Sequence, residues 1–101
     1  MVTKTDILTR VDRNLGSVSD MLSDLPIVAE EWDDETIINR IIWATEWHET
    51  MDRLETVRRA YEKRLLTAHQ EQLYRSVLIE LERQLPTVCR LDLHPPHHLL
   101  P

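Results

Sequence analysis

TIINRIIWATEWHETMDRLETVRRAYEKRLLTAHQEQLYRSVLIELERQL, residues 36–85, runs for fifty residues without a Gly or a Pro. Such a stretch has no cheap source of positive φ and no forced gap in a backbone hydrogen-bond ladder. A stripe recurs at helical spacing: Ile37, Ile41, Ala44, Trp47, Met51, Leu54, Arg58 or Val57, Tyr61, Leu65 and Ala68. The mean spacing, about 3.4 residues, lies close to that of a coiled-coil seam. In the first third the apolar residues spread beyond one stripe, because Ile38, Ile42 and Trp43 lie off its axis. At 100° per residue they cover roughly two thirds of the helix girth. One neighbouring helix cannot cover that surface, so this segment needs at least two. Between Arg53 and Arg64 the seam narrows, and Glu55 and Glu62 stand near Arg58 and Arg59 at ion-pairing spacing.

The stripe falters at residues 69–72, where Thr67 and Gln70 have the spacing of a capping box. A break there gives helices over about 34–66 and 68–85. Upstream, Leu8, Val11, Leu15, Val18, Leu22 and Leu25 form a heptad seam and predict a helix over about 5–24. Thr3 or Thr5 caps its start, Gly16 is expected to mark a close crossing or a bend, and Pro26 is expected to end it. Asp33 or Asp34 is expected to cap the long helix. Residues 86–101 hold four of the five prolines and three of the five histidines, and read as an extended arm. Val88, Leu91 and Leu93 could tuck back onto the bundle.

The fold expected is all-α: an elongated helical hairpin or three-helix bundle in one domain, residues 1–101. Its packing is coiled-coil-like, and a Pro/His-rich C-terminal arm leaves it. No apolar run is long enough to span a membrane, and the N-terminus lacks a secretory signal. The single Cys89 rules out an internal disulfide and points to a reducing cytoplasm. The net charge is −6 and unevenly placed: residues 1–52 carry 4 basic and 12 acidic side chains, residues 53–101 carry 8 and 6. An acidic chain is a poor ligand for nucleic-acid phosphates.

Candidate chemistry is sparse. His48 and Asp52 share a helix face at i,i+4, but two ligands fall short of a metal site. The tail histidines His94, His97 and His98 are chelators by composition. Arg53, Arg58, Arg59, Lys63 and Arg64 make a candidate basic face for an RNA–protein complex. Arg64 and His69 have an Arg-x4-His spacing that is similar to that of helical HEPN-type ribonucleases, where a dimer joins two such motifs. The chain departs from that pattern at Leu65, where the family usually has a polar residue. No phosphate-cradling Gly loop and no pair of carboxylates placed for acid–base work is present.

The function expected is therefore non-catalytic: an adaptor, assembly factor or small structural subunit acting through helix–helix contacts. Trp32, Trp43, Trp47, Ile38 and Ile42 are the expected contact residues, since Trp is enriched at interface hot spots. The expected partner is a protein, as a homodimer or larger assembly. No cofactor, membrane partner or small-molecule substrate is expected.

Overall fold

The computed structural model describes residues 3–95. Among them every regular element is helical. Helix α1 spans Lys4–Glu31, α2 Ile37–Glu62, α3 Ala68–Arg83 and α4 Leu85–Arg90, with a 3-10 turn over Trp32–Asp34. α1 is the central element and packs along both α2 and α3. The body is elongated, 45 × 27 × 21 Å. The core is the α1 seam, Val11, Leu15, Val18, Leu22, Leu25 and Ala29, set against Trp47, Met51, Leu54 and Val57 of α2 and Tyr74, Val77 and Leu81 of α3. Val88, Leu91 and Leu93 close it from the C-terminal segment.

Two of the expected helix starts have a physical counterpart. The Thr3 hydroxyl accepts from the Asp6 amide at 3.2 Å, and the Thr3 amide donates to the Asp6 carboxylate at 3.1 Å. These bonds hold the Asp6 carboxyl below its usual range. Thr67 and Gln70 form the expected capping box. Gln70 is buried, and its amide also donates to the Leu8 carbonyl at 3.0 Å and to Asp12 at 2.8 Å, so α3 is pinned to α1 at its first turn. Burial lifts the Tyr74 hydroxyl above its ordinary range, where its ring tilts against Tyr61.

The break after α2 forms without Gly. Arg64 takes the left-handed conformation, φ 58. The Leu65 amide reaches the Ala60 carbonyl and the Arg64 amide reaches that of Tyr61, the bond pair of a Schellman motif. Asp92, also at φ 58, ends α4 in the same way, with Leu93 bonded to Val88 and Asp92 to Cys89.

The structure corrects four expectations. α1 does not stop at residue 24; it runs through Pro26 to Glu31. A proline inside a helix leaves the carbonyl four residues back without its donor. Here that carbonyl is Leu22, and the buried Gln84 amide donates to it at 3.0 Å. α2 is capped by Thr36, whose hydroxyl accepts from the Asn39 amide, and not by Asp33 or Asp34, which lie in the 3-10 turn. Residues 86–90 are not extended: they belong to α4, where Pro86 sits in the first turn, a position that tolerates a proline. Residues 96–101, including His97 and His98, lie outside the described residues. Gly16 marks no close crossing: a Cβ there would meet nothing within 4 Å.

Candidate interaction surface

α2 divides at Trp43. From there toward the C-terminus its apolar residues face α1 and α3, and Trp47 is wholly buried. The C-terminal segment covers Trp47: the indole N–H donates to the His94 carbonyl at 2.8 Å. Arg90 reaches back to the Ala29 carbonyl, one of the last carbonyls of α1. Toward the N-terminus the same helix is bare. Ile37, Ile38, Ile41 and Ile42 are 73%, 70%, 59% and 51% exposed. At 100° per residue these four fall within a 140° arc, one face of the first two turns. Ile27 of α1 is also exposed.

A tryptophan ladder joins the two parts. Trp47 stacks on Trp43 with centroids 5.8 Å apart, and Trp43 meets Trp32 edge-on at 6.4 Å. The Arg40 guanidinium lies over Trp32, and its Nε donates to the Trp32 carbonyl at 2.8 Å. Ile42, Trp43, Trp32 and Val28 line a cleft of about 250 Å³ beside the isoleucines. The surroundings are acidic: residues 30–49 hold seven carboxylates against Arg40 alone.

Of the five expected contact residues, Ile38 and Ile42 are on the surface, Trp32 and Trp43 are half-buried, and Trp47 belongs to the core. Ile37 and Ile41, read from sequence as seam residues, are the ones left out. Their spacing matches a buried seam, so periodicity alone did not separate them from Trp47.

The other candidates fare differently. The residues of the candidate basic face stand in different settings. Arg58 is tied to Glu55 and Glu62, bonds that push it further above its ordinary range, and Arg59 lies 3.8 Å from Glu55. Arg53 turns toward α1 and Arg64 sits in the turn. Arg64 and His69 flank that turn and so do not share one helical face. His48 and Asp52 stand 3.9 Å apart, both exposed, and no group of three metal-binding side chains occurs among the described residues. The Cys89 thiol is exposed. No described helix is long and apolar enough to cross a membrane. The chain matches no protein-family model, no curated protein and no solved structure.

Proposed function

We propose that this is a non-catalytic interaction protein that docks an apolar helix on the first two turns of α2. The supporting observation is the exposure of Ile37, Ile38, Ile41 and Ile42 on a helix whose remainder is packed. Fully burying an Ile side chain is worth about 1.5–3 kcal/mol. Four that are more than half exposed leave on the order of 5 kcal/mol for a partner to recover. The half-buried Trp43 and Trp32 offer a rigid edge beside them.

Charge selects the partner. The carboxylates from Glu30 to Glu49 would face one another across a second copy of the same surface, and like charges at such a contact oppose it. A partner helix with an aliphatic face and Lys or Arg on its flanks answers both features.

The test uses a Leu-faced amphipathic peptide in Lys-flanked and Glu-flanked versions, titrated against the wild type and Ile38→Glu/Ile42→Glu. The Lys-flanked peptide should bind, and the double variant should weaken it by at least roughly tenfold, about 1.4 kcal/mol. Equal binding of the two peptides would remove the charge argument. A wild-type dimer in light scattering that the double variant dissolves would assign the surface to a second copy instead.

A further inference from the structure

One end of the seam between α1 and α2 gathers positive charge. Arg10, Arg13, Asn14 and Ser17 follow one another at i, i+3, i+4 and i+7 on one face of α1, and Arg53 of α2 closes the opposite wall of a cleft of about 400 Å³. Like charges one turn apart on a helix oppose each other. The chain has carboxylates in excess, 18 against 12 basic side chains. Yet among the described residues neither Arg13 nor Arg53 has a carboxylate within 4 Å, and Arg10 has only a longer-range attraction to Asp6. Other arginines of the chain, Arg58, Arg75 and Arg83, are each within ion-pair reach of a glutamate. The half-buried Asn14 amide has no hydrogen-bond partner among the described residues. The Ser17 hydroxyl donates to the Arg13 carbonyl at 3.1 Å, so the free donors of the cleft are the three guanidiniums and the Asn14 amide. Arg53 and Ser17 also line the adjoining cleft, whose other walls carry Asp20, Asp24, Glu46 and Glu49. The arginines Arg10 and Arg13 line only the first of the two clefts.

We infer that this cleft binds the diphosphate or triphosphate group of a small molecule. Each guanidinium presents five N–H donors in a planar fork that matches phosphate oxygens. One carboxylate satisfies one such fork, whereas three forks around one cleft require the larger set of oxygens that linked phosphates carry. The same chemistry is available from inorganic diphosphate and from a nucleoside diphosphate. The site lies on the charged seam of α1 with α2, apart from the isoleucine face, and stands whether or not that face docks a helix.

Calorimetric titration of the whole protein with inorganic diphosphate, at about 0.15 M salt and without divalent metal, tests the inference. Saturable binding below about 1 mM is expected. Arg13→Gln/Arg53→Gln should weaken it by at least roughly tenfold, and Arg59→Gln, whose arginine does not line the cleft and lies beside Glu55, should not. Diphosphate should also raise the melting temperature of the wild type and not of the double variant. A parallel titration with ADP separates the sources: equal affinity means that phosphate alone is read, and tighter binding assigns the ligand to a nucleotide. Absence of saturation by about 10 mM, or equal binding in the double variant, overturns the site.

Discussion

From Trp47 to Ala60, α2 buries a residue at every turn against α1, α3 and the C-terminal segment; from Ile37 to Ile42 the same helix leaves four isoleucines exposed. Side-chain hydrophobicity does not separate the two ends, since Ile is as apolar as anything in the buried half. What separates them is the supply of neighbours. The buried end has α1 on one side and residues 88–94 on another, fixed by the Trp47 indole on the His94 carbonyl and Arg90 on the Ala29 carbonyl. The bare end follows a 3-10 turn that redirects the chain, and there only Trp43 and Ala44 still pack against the core. A helix can thus carry one sequence pattern and two fates, and the apolar surface left over on α2 is what the proposed docking rests on.

The contrast can be broken by substitution, and the largest effect belongs to the covered end. Trp47→Ala should cost about 3–5 kcal/mol in denaturant unfolding, through the cavity and the loss of the His94 tie. A loss below about 1 kcal/mol would mean that the C-terminal segment does not seal this end. Next comes the polar group that permits the covered end to exist. Gln84→Leu should cost about 1–3 kcal/mol by leaving the Leu22 carbonyl without a donor. In a Pro26→Ala background, where the helix supplies its own donor, the same change should cost less by at least about 0.5 kcal/mol. Additive single effects would show that Gln84 acts by packing alone.

Smaller still is Gly16→Ala, which should stabilise by about 0.5–1 kcal/mol, because the position is helical and a Cβ there has open space. Gly16 lines a groove between α1 and α3, beside Leu73 and Val77. A destabilised Gly16→Ala would reveal that this second open face is tighter than its 4 Å clearance indicates. The smallest effect is expected at the bare end. Ile38→Ser and Ile41→Ser should each lie within about 0.5 kcal/mol of the wild type. A cost like that of Trp47→Ala would show that these residues already have a cover in the folded chain.

Local signals in the sequence were read where their partners are also local. The heptad of α1 from Val11 to Leu25 is buried throughout, and the Thr67–Gln70 pair does start a helix. Pro26 reads as a helix stop because the group that answers it, Gln84, lies 62 residues beyond the Leu22 carbonyl it serves and looks like any polar residue near a helix end. The isoleucines could not be told from Trp47 because periodicity reports a helix face and is silent on whether anything lies against it. The arginine cleft was hidden for a related reason. Arg53 read as part of its own helix with Arg58 and Arg59, whereas the fold pairs it with Arg10 and Arg13.

The Leu22 and Ala29 carbonyls also set an order in time. Their donors, Gln84 and Arg90, are made 62 and 61 residues later. At about 5–20 residues per second of synthesis, that delay is roughly 3–12 s. During it, the Leu22 and Ala29 carbonyls stand without these donors, so two backbone groups in the second half of α1 are answered only once Gln84 and Arg90 have been built.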